Sequence, residues 1–379
     1  MSSADKYADS RKFIREKCAE KIDLMYGLKD IDPLFADTLR KMVETQLDYE
    51  IDEIEKHGLL EEFMAMSDST EFVKDSGYIL HPGGWGTSST VAFILGITDI
   101  DPMAYGLVFN PKALKESRLY LSVPAHQRSE IRKALHLMCA NRKMFIYGHE
   151  ELQDIFIALE RIKENNSNFD FNAIPLNDRM TFDLIGNGNV DGIPYLQCPQ
   201  GRGLCRRICP RNLDEHIALI SFIHNPLSTV FIATYLSAKP APENIDYAHP
   251  EIGMILGETY GIMLYREQAV LIMEKLSGIP YDNAWDILKE LMGKGNIELH
   301  MERFIKGCNS KCGIDRKSAF GIWEMIMSCP MSSKAYYVQK SVLTYKMAYL
   351  RANYRDKFCV VAFNLVDSCQ SLMHCNTTR

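Results

Sequence analysis

Residues 81–89 read His81-Pro-Gly-Gly-Trp-Gly-Thr-Ser-Ser89, a glycine-rich turn set between two kinds of chain. Upstream, apolar residues recur at helical spacing: Phe13, Cys18, Ile22 and Met25, then, after a break at Asp30–Pro33, Leu39, Met42, Leu47, Ile51 and Ile54. A turn at Lys56-His57-Gly58 leads to a further helical segment from Leu60 to Val73. Directly before the glycines, Tyr78–Leu80 is apolar and too short for a helix, which predicts a strand, and Thr90–Ile97 is the apolar segment that follows. Beyond the polar run Asn165–Asn172, amphipathic helices are predicted at Leu213–Ile223, Glu251–Leu256, Glu267–Leu276, Ala284–Met292, Leu299–Cys308, Ala319–Met327 and Val338–Phe358. The fold class is therefore α+β: a small mixed domain over residues 1–165 and a mostly α-helical domain over 166–379.

Composition narrows the function classes. The chain has 379 residues, 46% apolar and 24% charged, which excludes disordered and fibrous classes. It has no run of eighteen apolar residues and a polar N-terminus, so the expected location is the cytoplasm, with no membrane partner. Eleven scattered cysteines read as reduced thiols. The net charge of −6 hides an asymmetry: residues 1–70 hold ten Lys/Arg against seventeen Asp/Glu, and residues 331–379 hold seven against two.

Three stretches taken in order carry a resemblance to a known family. The first is Tyr49-Glu-Ile-Asp-Glu-Ile-Glu-Lys-His-Gly58 with the glycine loop and Leu95-Gly-Ile-Thr-Asp-Ile-Asp-Pro102. The second is Ile174-Pro-Leu-Asn-Asp-Arg-Met-Thr-Phe-Asp183 and its continuation to Pro210. The third joins His249-Pro-Glu251, Glu258-Thr-Tyr-Gly-Ile-Met-Leu-Tyr-Arg-Glu-Gln268, Met292-Gly-Lys294, Lys334 and Ala348-Tyr-Leu-Arg-Ala-Asn-Tyr354. Together they resemble the palm and fingers of the C-family polymerases, the alpha subunit of bacterial DNA polymerase III. The resemblance implies a nucleotidyltransferase-like palm joined to helical fingers. It also implies that a leading phosphoesterase-like domain, a thumb and the modules after the fingers are missing.

Template-directed nucleotide addition needs two divalent cations held by carboxylates. In the family three aspartates supply them, and the resemblance sets those positions near Val123, Ala125 and Phe145, where no carboxylate stands. The expectation is a catalytically inactive paralogue with no cofactor. An enzyme alternative, a DNA-directed DNA polymerase or other nucleotidyltransferase, would use Mg²⁺ on rearranged ligands: Asp99 and Asp101, which alternate on an expected strand end, or Glu150. Against that, carboxylates of this kind in loops usually cap or turn the chain.

The family's loop carries Gly-Arg-Gly-Ser, whereas Gly84 or Trp85 stands at the arginine's place here. Gly83, Gly84, Gly86, Thr87, Ser88 and Ser89 are candidates for phosphate or nucleotide binding, against a structural turn with Trp85 packed inward. Tyr265, Arg266, Gln268, Lys289, Lys294 and Lys334 match the family's nucleotide- and template-facing motifs. The family's Arg-Pro-Gly-Pro, by contrast, is His224-Asn225-Pro226, and its Asn-Lys-Ser-His-Ala keeps only the lysine in Ser333-Lys-Ala-Tyr336. In the C-terminal helix Lys334, Lys340, Lys346, Arg351, Arg355 and Lys357 interleave with five tyrosines, which suits single strands if the rings are exposed and a core if they are not.

Cys198, Cys205 and Cys209, Cys308 and Cys312, and Cys369, His374 and Cys375 lack the paired knuckles of a zinc site. His126, His136 and His149 have no nucleophile or carboxylate spaced with them. The expected partners are DNA or a nucleotide and, in a third reading as an interaction scaffold of a replication or mobile-element system, a replication protein docked on the acidic front.

Overall fold

The computed structural model describes residues 10–116, 120–138, 145–225, 230–291, 293, 295–330 and 332–358. The chain forms two compact units that divide between Ile174 and Pro175, past the polar linker. Asp356–Phe358 belong with the first unit.

The first unit begins with three helices, α1 (Ser10–Met25), α2 (Pro33–Lys56) and α3 (Leu60–Asp75). Asp32 starts α2: its carboxylate accepts the amides of Leu34 (3.0 Å) and Phe35 (3.3 Å), and Pro33 fills the first position, where no donor is needed. Ion pairs Arg11–Asp52, Arg11–Glu55, Arg15–Asp48 and Arg40–Asp23 lace α1 to α2 on their outer edge. Their apolar faces meet a core of Ile14, Val43, Ile51, Ile54 and Phe63.

Next come β1 (His81–Gly83), α4 (Thr90–Ile94), α5 (Ala113–Glu116), β2 (Tyr120–Pro124), α6 (Arg128–Met138), β3 (Phe145–His149) and α7 (Glu150–Lys163). The three strands make one sheet in the order β1-β2-β3. β1 runs antiparallel to β2 (His81 opposite Ser122) and β3 runs parallel to β2 (Tyr120 opposite Phe145). The first strand thus falls on residues 81–83, inside the glycine loop, and not on Tyr78–Leu80. Gly83 pairs with Tyr120 at the end of this strand, and a Cβ on it would come within 2.4 Å of the Tyr120 ring, so a larger residue there would displace that ring. The expected strand end at Asp99–Asp101 is a loop after α4.

The second unit is helical throughout: α8 (Arg179–Gly186), α9 (Pro199–Ile208), α10 (Leu213–His224), α11 (Ile232–Ala238), α12 (Pro250–Leu256), α13 (Arg266–Ser277), α14 (Tyr281–Leu291), α15 (Ile297–Cys312), α16 (Arg316–Met327) and α17 (Lys334–Asn353). Side-chain caps from Asp178, Asn212, Asn296 and Asp315 open α8, α10, α15 and α16, and Gly278 and Gly313 close α13 and α15 in the left-handed region. One core joins Leu276, Trp285, Phe304 and Trp323. Gly307 lets α15 meet the end of α13, since a Cβ there would stand 2.2 Å from the Ser277 carbonyl oxygen. The last long helix starts earlier and stops earlier than the expected 338–358. Among the described residues no helix is long and apolar enough to cross a membrane.

Candidate nucleic-acid interface

Val123 lies on the central strand β2 and is completely buried among Leu121, Ile131, Leu135 and Ile146. Ala125 sits half-buried in the turn after the strand, and Phe145 opens β3 half-buried. None of the three offers an oxygen ligand, so these residues do not fit a divalent cation. Among the described residues no three His, Cys, Asp or Glu side chains gather as a metal site.

Asp99 pairs with Lys74 at 2.7 Å. Asp101 accepts the Met103 amide at 2.9 Å and the Tyr26 hydroxyl at 3.2 Å, a turn carboxylate whose burial pushes its pKa up. The His126 ring packs on Phe156 at 5.2 Å, and His149 stands 3.7 Å from the Glu151 carboxylate. The His136 side chain, Cys139, Cys359, Cys369, His374 and Cys375 lie outside the described residues. The described cysteines are free thiols. Cys198 caps α9, its sulfur accepting the Gly201 amide at 3.3 Å, and burial pushes Cys205 and Cys308 up to about 12.

The glycine loop meets a carboxylate of its own chain. Glu50, fully buried on α2, accepts hydrogen bonds from the Ser89 hydroxyl (2.7 Å), the Thr90 amide (3.0 Å), the Val91 amide (3.1 Å) and Gln46 Nε2 (2.8 Å). Burial pushes the Glu50 carboxyl up, and these four donors oppose it. The Ser89 oxygen also accepts the Ala92 amide. The donors that open α4 therefore already face a carboxyl group of the chain itself, and Gly83, Gly86, Thr87 and Ser88 are buried within the turn, with Gly84 half-buried at φ +86°. The Trp85 side chain lies outside the described residues.

In the second unit most of the expected contact residues turn inward. Tyr265 is 2% exposed. The Gln268 carbonyl oxygen accepts the Leu264 and Tyr265 amides at 2.9 and 3.1 Å, and its amide nitrogen donates to the Thr259 hydroxyl at 3.0 Å. Lys334 is 6% exposed and donates to Glu258 at 2.6 Å, and burial raises the Glu258 pKa while the lysine opposes it. Glu267 accepts from the Ser333 hydroxyl (2.7 Å) and the Lys334 amide (3.0 Å), which caps α17 from another helix. Arg266 stacks on Trp285 with its guanidinium 5.2 Å from the ring. Lys346 is buried. Arg351 holds the loop before α9, donating to the carbonyls of Asn189 and Asp191 at 2.8 Å each. Lys289 is exposed on α14, and Lys294 lies outside the described residues.

Lys340 differs. Its ammonium sits 4.5 Å from the Tyr195 ring centre and 4.9 Å from that of Tyr336, one turn back on α17, and donates to the Tyr195 hydroxyl at 2.7 Å. His224, the last residue of α10, packs against Tyr195 at 4.4 Å, Tyr336 at 5.8 Å and Tyr337 at 6.5 Å. Burial, with the Lys340 charge beside it, pushes His224 down to about 4, so its ring is neutral near pH 7, and its buried Nε2 has no hydrogen-bond partner among the described residues. Tyr195 holds φ +65°, an uncommon conformation for a bulky residue, and Tyr336 keeps 46% of its surface in solvent. The result is an exposed aromatic ring backed by a cation and two further rings. Sequence reading singled out Lys340 but missed Tyr195, whose only signal was a tyrosine in the turn-forming run Asp191-Gly-Ile-Pro194.

Comparison with known proteins points the same way at two places in the chain. Residues 151–312 match the bacterial DNA polymerase III alpha subunit finger domain, and residues 12–120 match the bacterial DNA polymerase III alpha NTPase domain. Over these two stretches the chain is similar to domains of that subunit. The polymerase III subunit alpha of Staphylococcus epidermidis is 32% identical over 207 residues, 53% of this chain and 19% of that protein. That of Thermus aquaticus is 31% identical over 227 residues (57% and 18%), and that of Aquifex aeolicus 27% over 266 residues (68% and 23%). The matched stretch therefore spans about a fifth of the length of these polymerase III relatives. The finger-domain match covers Tyr195, His224, Tyr265, Gln268 and Lys289 and ends before Tyr336 and Lys340.

Proposed function

We propose that this chain is a cytoplasmic, nucleic-acid-binding relative of the polymerase III alpha subunit, with palm-like and fingers-like units, that does not itself extend a primer. The observation that carries the reading is the packing of Val123: where the resemblance sets a metal-binding aspartate, a valine is sealed in the core beneath the sheet. Loss of a metal-held transition state removes the main electrostatic source of nucleotidyl transfer. Binding draws support from the exposed Tyr336 beside Lys340 and from the relationship to a replication polymerase.

Two measurements on the full chain test this. Affinity for labelled primed and single-stranded DNA is followed as salt is raised; binding that weakens linearly on a log–log plot is expected. Absence of binding at low salt, where phosphate contacts are strongest, sinks the proposal. In parallel, primer extension with Mg²⁺ or Mn²⁺ is expected to give no incorporation. Incorporation lost in Asp99→Ala would instead establish a polymerase with rearranged ligands.

A further inference from the structure

Residues 192–213 carry four arginines and no Asp or Glu, and that charge lies on α9 and directly after it. We infer that the outer face of α9, with Gly203 at its centre and Arg206 and Arg207 at its sides, is a docking surface for the phosphate backbone of duplex DNA. The inference deepens the binding function proposed above and rests on it.

Burial divides the helix into two faces. Gly201, Leu204, Cys205 and Ile208 are buried, which leaves Arg202, Gly203, Arg206 and Arg207 on the other side. A Cβ on Gly203 would meet nothing within 4 Å, so the middle of this face is bare and a backbone can come close between the flanking guanidinium groups. Arg207 is exposed and has no hydrogen bond or ion pair among the described residues.

The other cations are held in place without being cancelled. Arg206 donates to the Asn187 carbonyl at 3.3 Å, and Arg202 to the carbonyls of Gln197 (2.8 Å) and Gly188 (3.2 Å). A neutral carbonyl fixes a guanidinium and leaves its charge intact. The carboxylates beside them are each shared by two cations: Asp191 by Arg202 and Arg351, and Glu215 by Arg211 and Lys239. Asp183, one turn before Asn187, pairs with Arg179 at 3.8 Å. A surplus of positive charge therefore stands on a rigid helix, the arrangement that positions a protein on a phosphate backbone. α9 has no aromatic residue on which an unpaired base could stack, and a duplex presents the denser row of charge, so the face fits a duplex better than a single strand.

The test uses the full chain, a labelled duplex of mixed sequence as probe and polyglutamate as competitor. Arg207→Gln is expected to lower the slope of log affinity against log salt by about 0.9, as one lost phosphate contact does, and Arg206→Gln with Arg207→Gln by about 1.8. Gly203→Lys is expected to raise the slope by about 0.9. Gly203→Glu, with the same room and the opposite charge, is expected to weaken binding roughly tenfold where Gly203→Gln does not. All three residues favour a helix over glycine, so circular dichroism and thermal melting should show the Gly203 variants at least as stable as the parent chain. Duplex binding that the double arginine variant and Gly203→Glu leave unchanged overturns the surface while the binding function stands. Displacement of the duplex by polyglutamate at equal charge concentration overturns the choice of ligand, and tighter binding of a single strand that the same variants lose overturns the choice of duplex. A parent chain that binds no DNA at low salt removes the function beneath the surface.

Discussion

Glu50 and Asp154 are both buried carboxylates of the first unit that burial pushes up, and they differ in the donors they meet. Glu50 takes four hydrogen bonds. Asp154 on α7 has one buried oxygen with no hydrogen-bond partner among the described residues, and burial, helped by the nearby charges of Glu151 and Glu150, pushes it up to about 7 from an ordinary 3.8. Between about pH 4 and about pH 7 the folded chain therefore holds a proton on Asp154 that the unfolded chain has released. Since the native state binds more protons, stability falls as pH rises through that window and levels off above it. Asp154→Asn is expected to flatten this dependence, leaving the midpoint of urea unfolding almost unchanged at the acid end and raising it above about pH 7. A midpoint that falls equally at all pH values would mean that Asp154 is ionised in the fold.

At the scale of elements, the amphipathic helices were legible because their signals are local. The predicted Leu213–Ile223 and Ala319–Met327 fall on α10 and α16, whose caps Asn212 and Asp315 stand in the sequence directly before them. The start of α17 was not legible, because its capping carboxylate comes from Glu267, far away in the chain. The same contact explains why so many expected ligands lie inside. A lysine in a motif has the same letter whether it faces solvent or a buried glutamate, and only the fold brings Glu258 to Lys334. Lys334→Ala is accordingly expected to act on folding: it strands Glu258 and should cost roughly 3–5 kcal/mol in urea unfolding. Glu258→Gln in the same chain should recover part of that loss. Loss of DNA affinity in Lys334→Ala without loss of stability would return the lysine to the binding surface.

For the molecule as a whole, the sequence carried the likeness to domains of the polymerase III alpha subunit and set Val123, Ala125 and Phe145 where the resemblance expects carboxylates, but it did not disclose whether carboxylates there would support chemistry. That depends on packing around the sheet. Val123 is fully buried on the central strand, in the core that also holds Leu121 and Ile146, and Gly148 on β3 is so close to Ala125 that a Cβ would stand 3.0 Å from the alanine's Cα. An aspartate at 123 would place a carboxyl in this apolar layer, where it must either stay protonated or ionise without a partner. Val123→Asp is therefore expected to destabilise the chain by on the order of 4 kcal/mol. Val123→Asp combined with Ala125→Asp is expected to give no primer extension with Mg²⁺ or Mn²⁺, because a protonated carboxyl does not hold a divalent cation. Urea unfolding and primer extension on the same preparations separate the two effects. A double variant that stays folded and incorporates nucleotides would show that the unit still carries a working metal cradle and that only the side chains had changed. An unfolded or folded-but-silent variant would place the obstacle to metal binding in the packing of the sheet.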